Sequence, residues 1–375
     1  MAGLKSGGDN FRMTDKKRFT SSRKLDHLRI CAENDVESGD PGFKDIRFVH
    51  NALPECDMSM INLTASFLNH QFSSPLFISA MTGGHPGTKE VNVRLARAAE
   101  RFGIGMGIGS QRAALENPSL EDTFRAVRDE APHAYLIANL GAVQLRDHGI
   151  EWAERAVEMI GANAIAIHLN FLQEAIQPEG DHNACGCLAA IGELCSGFRT
   201  PVIVKETGCG ISVLTARQCW GAGVSAIDIG GWGGTSWSAV ESVRAGESRK
   251  IQDKNLKTLG ESFIEWGIPT VVSLAEVLVS GGPVIASGGV RTGLDIAKGL
   301  ALGANLCGMA LPLLKPAMES DEALDRTIEV IHRELAAAMF LTGSSSVAGL
   351  KKTRMYITGR TRQMIEKDNP ARLQR

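Results

Sequence analysis

The sequence predicts a TIM-type (β/α)8 barrel preceded by an N-terminal extension. Three observations carry that expectation. From about residue 75 onward, short β-branched runs alternate with stretches of helical period, the mark of a parallel sheet with helical crossovers. Eight such units fit into about 240 residues, the arithmetic of this barrel. Nearly every run ends in a polar residue or a glycine, as required where all the strand ends converge on one site.

The first run, Pro75–Ala80, opens onto Met81-Thr82-Gly83-Gly84, and the helical pattern Lys89–Phe102 follows. The second, Ile104–Ile108, leads to Gly109-Ser110-Gln111-Arg112. The third, Ala134–Asn139, ends at Leu140-Gly141 before a helix over Glu151–Ile160. The fourth, Ala164–Leu169, carries His168 and opens onto Asn170-Phe171-Leu172-Gln173-Glu174. The fifth, Pro201–Lys205, ends in Lys205-Glu206, with a helix over Thr215–Ala222. The sixth, Ala226–Gly230, runs into Gly231-Trp232-Gly233-Gly234-Thr235-Ser236. Thr270–Ser273 is read as entry to a helix over Leu274–Val279, because Pro283 follows too soon for a ninth strand and its crossover. The seventh run, Val284–Ser287, meets Gly288-Gly289-Val290-Arg291 and a helix over Leu294–Leu302; the eighth is Leu306–Ala310. The charged stretch between Trp237 and Trp266 exceeds an ordinary loop, and reads equally as a cover for the site or as a solvated loop. Residues 1–22 read as a flexible tail and residues 23–375 as a single barrel domain.

Composition narrows the function. Among 375 residues, 40 Lys and Arg face 42 Asp and Glu, a net charge of -2. No global positive field exists to hold nucleic acid or an anionic membrane. Apolar runs fall short of the ~18 residues a membrane span needs. The eight cysteines form no C-x-x-C pair, so a reducing, cytoplasmic setting is expected. Dinucleotide and P-loop glycine signatures are absent, as are H-E-x-x-H and G-x-S-x-G. His182, Cys185 and Cys187 lack the second cluster a zinc site would need.

An anion must therefore be held locally. Gly288 and Gly289 permit close backbone approach, and the helix from Thr292 is expected to aim its first amides at the same place. Gly233-Gly234-Thr235 would add donors. On the fourth run, two-residue periodicity puts His168 and Asn170 on one face, with Gln173 and Glu174 following. The first three are read as donors to an anionic substrate. Glu174 is a hard carboxylate of the kind that holds Mg2+ together with substrate phosphates. Lys205 closes an apolar run, either as a Schiff-base lysine or as a charge partner of a cofactor ring. Ser110-Gln111-Arg112 reads as an anion clamp. Arg23 and Lys24, on their own residues, read as a solvated basic pair, and Trp232 and Trp237 as core packing.

Taken together, these motifs resemble the type 2 isopentenyl-diphosphate isomerases, which are FMN-dependent barrel enzymes. The resemblance runs from Arg23-Lys24-Leu25-Asp26-His27 to Thr358-Gly359. Between these lie Met81-Thr82-Gly83-Gly84, Gly109-Ser110-Gln111-Arg112, Ala138-Asn139-Leu140-Gly141, His168-Leu169-Asn170 with Gln173-Glu174, Gln177-Pro178-Glu179-Gly180-Asp181, and Ser287-Gly288-Gly289-Val290-Arg291. It implies interconversion of isopentenyl and dimethylallyl diphosphate, a 1,3-proton shift without net redox change. The reaction would use reduced FMN as acid and base, NADPH as its reductant, and Mg2+. Implied FMN contacts are Ala80, Met81, Thr82, Ser110, Asn139, Lys205, Thr235, Gly288, Gly289, Arg291, Met309 and Ala310. Implied substrate contacts are Arg23, Lys24, His27, Ser110, Gln111, Arg112 and Gln173, and the implied catalytic group is His168, Asn170 and Gln173, with Glu174 on the metal. A homo-tetramer or homo-octamer is implied too. Phe171, Thr207, Cys209 and Gly230 stand where the family usually has other residues. The alternative on the same barrel, an FMN-dependent 2-hydroxy-acid oxidase, needs a catalytic histidine after the sixth strand, and Gly230–Trp237 contains none.

Overall fold

Two-residue alternation sorts the side chains of every strand between two cores. The structure, a computed structural model, describes residues 23–247 and 251–367; the tail expected at residues 1–22 lies outside the described residues. Eight parallel strands close into a barrel in chain order. They are β1 (Leu76–Ile78), β2 (Gly105–Gly107), β3 (Leu136–Gly141), β4 (Ala164–Leu169), β5 (Val202–Glu206), β6 (Ala226–Asp228), β7 (Val284–Ser287) and β8 (Leu306–Met309). The seam closes where Gly308 of β8 lies beside Phe77 of β1. β4 and β7 keep their expected bounds, and the other runs differ by one or two residues at an end, where pairing begins or stops.

Phe77, Ile137, Ala166, Ile203, Ala226, Ile285 and Leu306 point into the barrel. Ile78, Leu136, Ile165, Val204, Ile227, Ala286 and Cys307 point outward beneath the helices. The same alternation carries one step further at the open end. Asn139, His168, Lys205, Asp228, Ser287 and Gly308 follow the inward residues by two positions, so they ring the mouth. The opposite end is stoppered by the hairpin Ala65–Phe67 and His70–Phe72, whose Phe67 and Phe72 join the inner core. Phe72 meets Tyr135 edge-on at 5.2 Å. Burying each of these rings stabilises the closed end by about 2–3 kcal/mol, and leaves only the mouth open.

The helix Lys89–Phe102 stands where its periodicity predicts, and ends at Gly103 in the left-handed conformation, φ 58°. Thr270–Ser273 forms the first turn of the helix Thr270–Val279. The stretch after Trp237 corrects the expectation of a loop: it folds into helices Trp237–Glu247 and Ile251–Ser262, packed on one another. Their contact uses small residues. Ser238 Oγ donates to the Gly260 carbonyl at 2.5 Å and Ser242 Oγ to the Lys257 carbonyl at 3.0 Å. An apolar stripe, the usual signal of a helix face, is not needed for that kind of packing.

The N-terminal extension brings a helix over residues 23–33 to the mouth. Farther along, Ile46–Phe48 pairs antiparallel with Met355–Ile357. Glu37 pairs with Arg291, so the segment is tied across the β7 loop. Among the described residues, no helix is long and apolar enough to cross a membrane.

Candidate active site

One cavity occupies the barrel mouth, roofed by the helix over residues 23–33. Most of the expected site residues line it. Ala80, Met81, Thr82, Ser110, Asn139, Lys205, Thr235, Gly288, Gly289, Arg291 and Ala310 form its floor and one wall. Arg23, Lys24, His27, Arg112, His168, Asn170, Gln173 and Glu174 form the other. The basic pair Arg23-Lys24 is therefore part of the cavity and not a free solvated pair. Trp237 lines it as well, edge-on to His27 at 5.1 Å. Trp232 packs beneath Gly39 instead.

Two expected contacts are corrected. Gln111 is fully buried on the far side of its turn. Its Nε2 donates to the Ala156 carbonyl at 2.7 Å, and its Oε1 accepts from the Asn139 amide at 3.0 Å. It holds the β3 end in place and does not face the cavity. Met309 follows Gly308 on β8, so alternation turns its side chain outward into the helix-facing core. The expected anion site at the helix after β7 is also corrected. This helix, Gly293–Leu302, starts with a capping box of Thr292 and Asp295, and the Gly293 amide donates to Glu334 Oε2 at 2.6 Å. Side-chain oxygens already occupy these first-turn amides.

The wall toward β6 and β7 is built from glycine on glycine. Gly288 and Gly289 have φ of 97° and 68°, and a Cβ on Gly288 would lie 2.1 Å from the Gly231 carbonyl oxygen. Gly234 and Gly233 pack in the same way against Gly289 and Pro41. Only backbone fits there, and it leaves a flat wall beside the mouth. Just past β1, Ser79 Oγ and Thr82 Oγ1 are buried with no hydrogen-bond partner among the described residues, though both residues line the cavity. Buried polar atoms without partners are costly unless a ligand completes them. Lys205, whose Nζ donates to the Glu206 carbonyl at 2.5 Å, is the one cation of the inward ring. A glycine wall, waiting hydroxyls and a lysine floor fit a flat, polar-edged ring with a phosphate tail.

The opposite wall is a cation cluster. Burial, with Arg23 and Arg112 beside it, pushes the Lys24 amine down to about 7. Arg23 reaches Gln177 Oε1 at 2.9 Å and Glu179 Oε1 at 3.3 Å, while its Nε is buried and unpartnered. Arg112 pairs with Glu116 at 2.8 Å and with Asp181 at 3.2 Å. An anion placed among these groups would relieve their mutual repulsion.

His168 departs from the donor role expected for it. Asn139 Nδ2 donates to the Ile108 carbonyl at 2.8 Å, so Asn139 Oδ1 faces His168 Nδ1 at 2.8 Å and accepts its proton. Burial, then Lys24 and Lys205, hold the imidazole down at about 3. Its Nε2 is therefore an acceptor, and donates only if an incoming anion raises its basicity. Glu174 accepts from Asn170 Nδ2 at 2.8 Å, Gln177 Nε2 at 2.5 Å and the Asp181 amide at 2.8 Å. It is the one carboxylate among the described residues lining the cavity. Among the described residues, no group of three or more His, Cys, Asp or Glu is placed to hold a metal ion.

Two buried carboxylates escape sequence reasoning. Glu241, within the supposed loop, is 1% exposed. Its Oε1 accepts from His27 Nε2 at 2.9 Å and from Gln173 Nε2 at 2.8 Å, and its Oε2 from Arg244 Nε at 2.7 Å. Burial opposes its charge, but His27 and Arg244 outweigh that and keep the carboxyl well below its usual range. Glu241 thus fixes two residues of the cation wall at once. Asp228, on the inward register of β6, accepts from Ser287 Oγ. The same two-residue alternation that singles out His168 would have found it.

Comparison with known proteins now adds to this geometry. A model of the FMN-dependent dehydrogenase family matches residues 26–171 and 151–357. A protein of Methanoregula boonei named isopentenyl-diphosphate delta-isomerase is 71% identical over 357 residues, 95% of this chain and 99% of its own. Proteins of the same name from Methanosarcina mazei and Archaeoglobus fulgidus are 52% and 50% identical over 92% of this chain, and 94% and 99% of their own. The chain belongs to the isopentenyl-diphosphate delta-isomerase family.

Solved structures share the barrel. A mandelate oxidase variant with an FMN monooxide adduct superposes with a TM-score of 0.61 at 19% identity, over 92% of this chain and 100% of that one. A flavocytochrome b2 variant with pyruvate bound gives 0.64 at 17%, over 95% and 87%. At such identities the likeness shows the barrel fold alone. The cation wall and the glycine wall line the same cavity.

Proposed function

We propose that this chain interconverts isopentenyl and dimethylallyl diphosphate by a 1,3-proton shift, with FMN lying against the glycine wall. The observation that carries the reading is the facing of the two walls across one cavity. A diphosphate held by Arg23, Lys24, His27 and Arg112 would extend its short hydrocarbon toward Lys205 and the mouth ring. Bound in its reduced form, the flavin would supply the acid and base that a hydrocarbon double bond lacks in water.

This chain's own residues do the rest. Lys24 gains its proton as the anion arrives, and the cluster neutralises the diphosphate. Asn139 fixes His168 by accepting its Nδ1 proton, and Glu241 fixes Gln173 and His27. Glu174, with three neutral donors on its oxygens, would hold Mg2+ as a single carboxylate, the remaining positions going to phosphate oxygens and water. Trp237 and Leu28 help keep water from the reacting carbons. NADPH is the proposed reductant and needs no site of its own if it delivers hydride to the open cavity.

The test is an anaerobic assay with FMN, NADPH and Mg2+. Conversion of isopentenyl to dimethylallyl diphosphate is expected, ceasing when the flavin stays oxidised. Bound, reducible FMN without conversion would overturn the isomerase reading and move the barrel to another flavin chemistry.

A further inference from the structure

Beneath the floor of the mouth, Lys205 also borders a second, small cavity on the barrel axis, shared with Asn139 and Asp228. Asp228 is 2% exposed and lines this lower cavity but not the upper one. Lys205 and Asp228 are register partners on β5 and β6. Lys205 Nζ lies 3.9 Å from Asp228 Oδ2, while Asp228 Oδ1 accepts from Ser287 Oγ. Ser287 Oγ in turn accepts from the Gly230 amide at 3.2 Å. A chain therefore runs from the carboxylate through Ser287 to the glycine wall, and through Lys205 to the cavity. Whatever occupies the mouth meets Lys205 directly and Asp228 only through these neighbours.

We propose that Asp228 is a positioning residue: as the buried counter-charge of Lys205, it limits the positive charge the barrel floor presents to a flavin ring, and so sets the ring's reduction potential. The inference rests on the reading that FMN binds in the mouth. Two electrons and one proton convert an oxidised flavin ring to a reduced anion, with its charge on the N1 and C2 carbonyl edge. A lone buried cation at that edge would stabilise the anion strongly. A paired one does so less, because the carboxylate behind it cancels much of its field. Among the described residues Asp228 is ion-paired only with Lys205, and it does not line the upper cavity, so its charge acts through the lysine. A purely structural role, neutralising a buried lysine, would change stability without touching the ring.

The experiment uses the FMN-loaded protein and its midpoint potential, read by dye-referenced titration, beside the dissociation constants of oxidised and reduced FMN. Asp228→Asn should raise the ratio of reduced to oxidised flavin at a fixed potential at least tenfold, ~30 mV for this two-electron couple. Lys205→Met should lower it. In the double variant the Asn substitution should be silent, because a buried carboxyl stripped of its cation takes up a proton and is already neutral. An unchanged potential in Asp228→Asn, or the same shift with and without Lys205, overturns the proposal. Should Asp228→Asn fail to fold, Ser287→Ala carries the test. The carboxylate then loses its hydroxyl and turns to Lys205, and the reduced fraction should fall; no shift again overturns the proposal. Failure of the wild-type protein to bind FMN at all would instead refute the flavin reading on which this rests.

Discussion

Replacing Lys24 with methionine should separate the stability of the free protein from its hold on an anion. In the free protein the amine is half-buried beside Arg23 and Arg112, and its pKa falls to about 7 from the ordinary 10.5. The folded value lies below the unfolded one. Between the two, the unfolded chain binds the extra proton, so stability rises with pH and the penalty is fully present only below about 7. That interval caps the penalty at about 4 kcal/mol at neutral pH. Relaxation around a half-buried amine brings the expected gain of Lys24→Met to about 1–2 kcal/mol. Urea unfolding of both proteins at pH 7 and at pH 9.5 reads it: the variant should be the more stable at pH 7, and the advantage should shrink at the higher pH. Pyrophosphate should show the other side of the same linkage. Near pH 8 its binding should take up close to one proton in the wild type, measured by calorimetry in two buffers of different ionisation enthalpy, and none through this site in the variant. A variant less stable at pH 7, or pyrophosphate binding with no proton uptake, would refute the claim that Lys24 is a cation held in reserve for an anion.

The remaining predictions concern the two walls. Glu241→Gln leaves one acceptor oxygen for His27, Gln173 and Arg244, and should cost about 2–3 kcal/mol in urea unfolding; an unchanged midpoint would show that the three donors find other partners. Glu174→Ala should remove the Mg2+ dependence and most turnover while FMN stays bound, and unaltered turnover would sink the metal assignment. Gln173→Ala should depress activity with the flavin retained, so a colourless protein after gel filtration would mean the loop after β4 shapes the flavin site. Gly288→Ala sets a Cβ against the Gly231 carbonyl at a φ of 97°, and should lower stability by about 2 kcal/mol or more; a melting temperature within a degree of wild type would show that the β6 and β7 loops can part.

The barrel was legible because one local pattern, a short β-branched run followed by a helix, recurs eight times. Within a run, alternation by two aims side chains, and on the fourth it correctly puts His168 at the mouth. The same step from Ala226 reaches Asp228, inside the run Ala226–Gly230. Gln111 is different. Ser110, Gln111 and Arg112 lie on a turn, where side-chain direction follows no period, and nothing local says that the middle one anchors β3. Glu241 was hidden by its composition. Its helix packs through Ser238 and Ser242, and its burial depends on His27, 214 residues away. A carboxylate sheltered by partners so remote resembles any other surface charge until the chain is folded. The resemblance to a known family recovered Arg23 and Lys24, which the residues alone assign to solvent.

The antiparallel pairing of Ile46–Phe48 with Met355–Ile357 has a consequence for how the molecule is made. Ile46 sits opposite Ile357, so this strand of the N-terminal extension has its partner only when synthesis is nearly over. A ribosome therefore delivers the whole barrel before this outer strand pair can close. The helix over residues 23–33 has its partners earlier, at Gln177 and Glu241, and does not wait for that pair. A chain stopped before residue 355 would be expected to keep both walls of the cavity and to lose only the outer pairing of Ile46–Phe48.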